Sequence, residues 1–369
     1  MYGPVRLRGV SSESAMSAFV IAHSVSSRRA VGIWLLCIAA LIVAMLAVGG
    51  LTRLTGSGLS ITEWDPIVGA IPPLSHADWQ EAFRKYQQIP QYHFENPGMT
   101  LEAFKGIFWW EWIHRFLGRF IGFAFLIPFA WFAATGAIGR KDWGRMIMVF
   151  ALGGLQGFVG WWMVESGLEV RVAVSQYRLA IHLGVAVLLL GAVLWVALEY
   201  LRAPSPPRGR MAGKSMAAIA AYAFAGLVFV QMLLGAIVAG LHAGLIYNTW
   251  PLMNGRFGPE LPFAQGWISF FENPGLAQFD HRIVAYAVVI FAYFFWQWIM
   301  RQRVEAVARF AADVVLIVTV AQAALGIFTL LFAAPVALAA LHQVVAALLF
   351  CAAVWQAFEL TSPDPVQRA

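Results

Sequence analysis

Long apolar runs, each close to 20 residues, set the strongest constraint on how this 369-residue chain can fold. A helix of about 20 apolar residues crosses the hydrocarbon core of a bilayer and satisfies its own backbone hydrogen bonds there. The pattern predicts an all-α integral membrane protein with eight transmembrane helices in the lipid bilayer. The predicted spans cover about residues 31–51, 112–135, 146–164, 178–200, 216–240, 281–300, 310–333 and 336–359.

Composition supports a membrane protein and excludes other classes. The chain is 60% hydrophobic and 12% charged, whereas a soluble domain has about 25% charged residues. The net charge of +6 lies in short basic loops, and no basic cluster with interleaved aromatic residues predicts binding to nucleic acid. Cys37 and Cys351 lie inside apolar runs, so neither a disulfide nor a cysteine-bound metal is predicted.

Lysine and arginine are concentrated on one side of the predicted spans. The two ends of the chain and the loops near 136–145, 201–215 and 301–309 hold fifteen of the 25 basic residues. By the positive-inside rule this side is cytoplasmic, so both termini are predicted to lie in the cytoplasm. The short serine-rich N-terminal segment favours a bacterial cell inner membrane over a mitochondrial one.

Repeated sequence motifs predict a tandem duplication. FENPG occurs at 94–98 and 271–275, and each copy precedes a His-Arg pair at a predicted span start. Further on, AIHLGVAVLL (180–189) matches ALHQVVAALL (340–349). The chain is therefore predicted to form two pseudo-symmetric four-helix bundles, related by an axis along the membrane normal. The predicted parts are a tail at 1–30, an N-terminal half at 31–201 with an outer loop at 52–111, a cytoplasmic linker at 202–215, a C-terminal half at 216–360 and a tail at 361–369.

Two shorter patterns extend the repeat. VGGL (48–51) resembles VAGL (238–241) at the ends of the first and fifth spans. Three of the odd-numbered spans share Gln-x-x-x-Gly, in Gln156/Gly160, Gln231/Gly235 and Gln322/Gly326. The third span also carries Gly153, Gly154 and Gly157, which predict either close helix packing or room for a flat ring.

Four histidines lie in the outer third of the predicted bilayer, two in each half: His114, His182, His281 and His342. An ionisable side chain inside a span costs a few kcal/mol, so it needs a partner or a function. One isolated histidine is equally well explained by an interhelical hydrogen bond. Two imidazoles from different helices in each half instead predict the axial ligands of a haem iron. A zinc site needs three or four converging ligands, and the histidine spacing does not supply them.

Charged residues beside these histidines complete the candidate site. Arginines near the outer ends of spans are candidate partners of haem propionates, or else reach lipid headgroups. These arginines are Arg115, Arg119, Arg178 and Arg282. Glu111 precedes His114 by three residues, where the second half has Gln278 before His281. Glu111 is therefore a candidate general base in the first half only, the alternative being a helix N-terminal glutamate favoured by the helix dipole.

The sequence resembles the haem A synthase family, in its cysteine-less proteobacterial and mitochondrial branch, over roughly residues 30–360. The resemblance rests on five motifs: GGLTRLTGSGLSITEWDPIVGAIPP (49–73), EWIHRFLGR (111–119), QYRLAIHLGVA (176–186), DHRIVAY (280–286) and LAALHQVVA (338–346). It implies an oxidoreductase that converts a methyl group of haem O to the formyl group of haem A, for cytochrome oxidase biogenesis. It also implies haem b between His281 and His342, substrate haem O near His114 and His182, and Glu111 as the essential glutamate.

The resemblance further implies that haem O synthase (protohaem farnesyltransferase) supplies the substrate, with an electron partner that is not identified; a homo-oligomer is compatible with the sequence. The residues alone leave open a di-haem b-type membrane electron-transfer protein similar to quinol oxidoreductases. A transporter with a His and Glu proton relay is a weaker alternative, because such relays usually lie near the midplane.

Overall fold

The computed structural model describes residues 12–63, 65, 68–168, 174–202, 216–259 and 263–361. The linker 202–215 beyond Arg202, the outermost parts of both predicted tails, Trp64 and Pro66 lie outside the described residues. The helices of the described part are α1 (Ser12–Leu54), α2 (His76–Tyr86), α3 (Pro90–Phe94), α4 (Leu101–Ala134), α5 (Trp143–Leu168), α6 (Gln176–Leu201), α7 (Met216–Gly240), α8 (Ser269–Glu272), α9 (Pro274–Met300), α10 (Ala306–Leu331) and α11 (Val336–Thr361).

Eight of these helices are long and apolar enough to cross a membrane, which confirms the predicted all-α, multi-pass class. They are α1, α4, α5, α6, α7, α9, α10 and α11. Within the described residues no β-strand occurs. Each helix satisfies its backbone internally, as the absence of water in a bilayer core requires.

The long helices pack in two rings. In the first half α1 contacts α4 and α6, and α5 contacts the same two helices. In the second half α7 and α10 each contact α9 and α11. Helices α1, α6, α7 and α11 meet between the rings, where Leu35, Leu190, Phe224 and Ala353 form part of one buried core. This arrangement is compatible with the two predicted four-helix bundles.

Helices α1, α4 and α9 begin well before the predicted spans. Helix α4 begins at Leu101 and not at 112, because the Thr100 side chain caps it by accepting a hydrogen bond from the Ala103 N–H. Helix α9 begins at Pro274 and not at 281, with Asn273 as its cap. His114 and His281, which the sequence placed at the starts of spans, therefore lie well inside their helices.

The segment between α1 and α4 folds onto the outer part of α4. Helix α2 begins with a capping box in which Ser75 and Asp78 bond each other's backbone N–H. Tyr86 packs on Phe104 with ring centroids 5.2 Å apart, in a cluster that also buries Leu59. The outer loop predicted at 52–111 thus shortens to 55–100 and contains a packed helical cap.

Candidate haem-binding and active site

Each of the four histidines packs against a glycine on the long helix before its own. A methyl carbon built on the glycine would lie 2.8–3.2 Å from the imidazole Cε1 in the pairs Gly49–His114, Gly160–His182, Gly235–His281 and Gly326–His342. Contacts this short leave room only for hydrogen at the glycine Cα. We call each pair a histidine seat. Every imidazole is therefore held against the backbone of a neighbouring helix.

The third-span glycines divide into two groups. Gly160 belongs to the seat of His182, whereas a methyl carbon at Gly153, Gly154 or Gly157 would meet no atom within 4 Å. Close helix packing therefore explains Gly160 and does not explain the other three.

The two histidines of the C-terminal half face each other. The ring centroids of His281 and His342 are 6.5 Å apart, with an angle of 80° between the ring planes. An imidazole nitrogen lies about 2 Å from a metal that it binds, so two axial imidazoles on one iron have centroids about 6 Å apart. The pair has the separation of two axial haem ligands.

A glutamine one turn before the seat glycine contacts three of the four imidazoles. Its Nε2 lies 3.1–3.5 Å from a ring nitrogen in the pairs Gln156–His182, Gln231–His281 and Gln322–His342. Gln231 and Gln322 also donate to the backbone carbonyl of their histidine, at 2.9 and 3.0 Å. The repeated Gln-x-x-x-Gly pattern is therefore one structural unit that positions a histidine.

Several buried polar atoms at these seats have no hydrogen-bond partner among the described residues. They are Nδ1 of His114 and His342 and the amide Oε1 of Gln156, Gln231 and Gln322. Buried polar atoms in proteins are almost always bonded, so these atoms indicate a ligand. Imidazole nitrogens are common haem-iron ligands. The glycine seats, the ring separation and the unbonded nitrogens together fit a haem in the C-terminal half, and the seats and nitrogens fit one in the N-terminal half.

Glu111 is buried, with 3% of its surface exposed, and accepts four hydrogen bonds. The Ser60 hydroxyl and the Ile61 N–H both donate to Oε2, each at 2.8 Å. Arg115, one turn further along α4, donates to Oε1 through Nε at 3.0 Å and Nη2 at 2.6 Å. The carboxylate is thus fixed between its own helix and the chain that follows α1.

The second half repeats this arrangement with a neutral side chain. Gln278 donates through Nε2 to the carbonyls of Ala243 and Ile246, and its Oε1 accepts from Arg282 at 2.8 Å. Arg282 also donates to the carbonyls of Tyr247 and Thr249. Arg115 makes the matching bonds to the carbonyls of Ile61 and Glu63.

These matching bonds fix the register of the repeat. Ile61 corresponds to Tyr247 and Glu63 to Thr249, so Gly49 corresponds to Gly235. The predicted match of VGGL at 48–51 with VAGL at 238–241 is therefore wrong by four residues. Both copies end in small apolar and glycine residues, so a match over four letters could not distinguish the two registers.

The four predicted arginines all donate to backbone carbonyls. Arg119 bonds the carbonyl of Asp65 at 3.0 Å, and Arg178 bonds that of Trp162 and lies over its ring. Arg115 and Arg282 bond the loops described above. These contacts fasten the outer segments to the helices.

Sequence reasoning missed Arg53, which follows Gly49 by one turn of α1. The described residues give its guanidinium neither a hydrogen bond nor an ion pair. It lies near His242, whose pKa is lowered by burial and by the charge of Arg53. The i to i+4 spacing from the seat glycine was the signal that could have identified Arg53.

Comparison with known proteins shows the family of the chain. The sequence model of the COX15-CtaA family, described as cytochrome oxidase assembly protein, matches residues 32–354. A protein of Parvibaculum lavamentivorans named heme A synthase is 49% identical over 91% of this chain and 95% of its own. Proteins of the same name from Rhodopseudomonas palustris (50% identical, 90% of each chain) and Nitrosospira multiformis (48% identical, 90% and 94%) match similarly. The chain therefore belongs to the COX15-CtaA family of cytochrome oxidase assembly proteins.

Proposed function

We propose that this protein is a haem A synthase, an oxidoreductase that converts a methyl substituent of haem O to the formyl group of haem A. The observation that carries the proposal is its similarity, over nearly the full length, to proteins of that name. The eight apolar helices agree with an enzyme whose substrate is itself largely apolar.

We further propose a division between the halves. His281 and His342 would hold haem b as a resident cofactor, and His114 and His182 would hold the iron of substrate haem O. The 6.5 Å separation of the C-terminal rings supports the first assignment. The unbonded Nδ1 of His114 and the seats of Gly49 and Gly160 support the second.

Haem iron would supply the redox chemistry that oxidation of an unactivated methyl group requires. Glu111 would accept a proton from the reacting substituent or stabilise positive charge on it. The four hydrogen bonds from Ser60, Ile61 and Arg115 keep the carboxylate in one orientation. The packed cap over α4 would exclude bulk water from this half. Gln278 cannot accept a proton in the same way, which supports placing the chemistry in the first half.

Haem propionates would lie toward the outer surface. Arg53 is the arginine that we propose as their first partner, because its guanidinium has no bond within the described residues. The arginines that already bond backbone carbonyls would contact a propionate only through N–H groups not used in those bonds. They are Arg115, Arg119, Arg178 and Arg282. An arginine pairs well with a carboxylate because its planar group can donate two parallel hydrogen bonds.

The direct test is pigment extraction. We expect cells that express this protein together with a source of haem O to contain haem A, identified by its mass, and the purified protein to contain haem b. If the purified protein holds two permanent low-spin haems and no haem A forms, the di-haem electron-transfer alternative is supported instead. Haem O synthase would be the natural source of substrate.

We also propose that the protein lies in the cell inner membrane with both termini in the cytoplasm. A fluorescent protein that matures only in the cytoplasm, fused after residue 369, is expected to fluoresce. The same reporter inserted between α2 and α3 is expected to stay dark. The reverse pattern would contradict the orientation inferred from the basic loops.

A further inference from the structure

One of the four histidine seats lacks the glutamine that the other three share. Four residues before the seat glycine stand Gln156, Gln231 and Gln322. The same count back from Gly49 gives Met45, in the seat of His114. The seats are otherwise alike, since all four glycines approach the imidazole Cε1 to similar distances. The difference is therefore confined to one axial position of the N-terminal half.

The glutamine restrains its imidazole by covering the ring. Nε2 of Gln231 lies 3.1 Å from Nδ1 and 3.3 Å from Nε2 of His281. Gln156 has the same relation to His182, at 3.2 and 3.4 Å. The amide nitrogen is almost equally far from both ring nitrogens, so it can donate a hydrogen bond to whichever of them carries no proton. Rotation of the ring away from its seat would require this amide to move.

Met45 gives His114 no comparable restraint. The Met45 Cε lies 3.1 Å from the position of a methyl carbon on Gly118, so the side chain packs on α4 one turn inside His114. A thioether has no hydrogen to donate. Neither ring nitrogen of His114 has a glutamine contact like those of the other three histidines. Glycine alone seats this ring, and a flexible side chain lies beside it.

We propose that His114 is the exchangeable axial ligand of the N-terminal haem, and that Met45 is the positioning residue that makes it exchangeable. This inference rests on the proposed function, in which substrate haem enters the N-terminal half and product haem leaves it in every cycle. The haem of the C-terminal half stays, and both of its histidines are held by glutamine. The half whose haem stays bound thus has a glutamine at both histidines, whereas the half whose haem is exchanged has one at His182 only.

Carbon monoxide binding tests the proposal, because this ligand binds ferrous haem only after an axial ligand has left. We expect reduced wild-type protein to bind it at the N-terminal haem. In Met45→Gln the binding rate is expected to fall about fivefold to tenfold, the range that one hydrogen bond contributes. Met45→Leu, which changes shape but adds no donor, is the matched control and is expected to keep the wild-type rate.

The reverse substitution keeps the test informative if Met45→Gln does not fold. Gln231→Met removes the restraint on His281, and carbon monoxide is expected to bind the C-terminal haem as well. Extracted pigment is measured in every sample. Wild-type protein that neither binds added haem O nor forms haem A overturns the proposed function and this inference with it. Protein that contains both haems, with equal carbon monoxide binding in wild type, Met45→Gln and Gln231→Met, overturns this inference alone.

Discussion

Glutamine at position 111 is expected to stop haem A formation while haem b stays bound. Arg115 donates to one oxygen of Glu111, and Ser60 with Ile61 donates to the other. The amide of glutamine carries two N–H donors on one side, so in either orientation it sets donors against donors. The variant also removes the negative charge beside Arg115 and the group that we propose accepts a proton. We expect conversion to fall at least about a hundredfold, the usual contribution of a general base.

Ser60→Ala is the matched control for loss of a hydrogen bond without loss of the carboxylate. It removes one of the four bonds to Glu111, and we expect conversion to fall only a few-fold. Haem A and residual haem O are identified by mass in extracts, and haem b is measured by the absorption spectrum of the purified protein. Wild-type conversion in Glu111→Gln would remove Glu111 from the mechanism. Equal losses in both variants would indicate that Glu111 acts only by fixing the chain after α1.

The features that the sequence predicted well are those that depend on long periodic patterns. Eight apolar runs predicted eight long helices, because the bilayer allows few other structures. Four histidines at similar depths predicted one pair of imidazoles in each half, and the rings of His281 and His342 lie 6.5 Å apart. An apolar run is a signal summed over many residues, and the histidine pair occurs in both halves. A single unusual residue therefore changes neither prediction.

The helix starts could not be predicted from hydropathy. The first turns of α4 contain the charged residues Glu102 and Lys105, which predicted a loop. Phe104 and Phe108 in the same turns are nevertheless buried against the helical cap. In the second half, Asn273 and Pro274 of FENPG open α9 directly. In the first copy, Asn96 instead donates to Tyr86. An identical five-residue motif therefore has different structural roles, because the first half carries the additional helical cap.

The sequence also did not predict which groups the charged side chains contact. Arginines near span ends suggested haem propionates, yet Arg115 and Arg282 bond carbonyls of the loops after α1 and α7. Every residue has a backbone carbonyl whatever its side chain, so bonds to carbonyls cannot be predicted from residue types. The Gln-x-x-x-Gly pattern indicated a repeat, and its role in seating histidines was not predicted. The seat of His114 lacks the pattern because Met45 stands at the glutamine position.

Alanine at Gly326 is expected to remove most of the haem b. Its methyl carbon would lie 2.8 Å from Cε1 of His342, so the imidazole must leave its seat on α10. Overpacking of this kind costs about 1–3 kcal/mol, which corresponds to about fivefold to 150-fold weaker haem retention. The ratio of haem b absorbance to protein, measured after detergent purification, reports this loss directly.

Gly226→Ala is the matched control, because Gly226 lies in the same half, on α7, and a methyl carbon there would meet no atom within 4 Å. Haem content is expected to stay at the wild-type level in this variant. The reciprocal change in the first half, Gly49→Ala, places a methyl carbon 2.9 Å from Cε1 of His114 and is expected to spare haem b while conversion of haem O falls. Full haem b in Gly326→Ala, or equal loss of haem b in Gly49→Ala, would contradict the assignment of separate haems to the two halves.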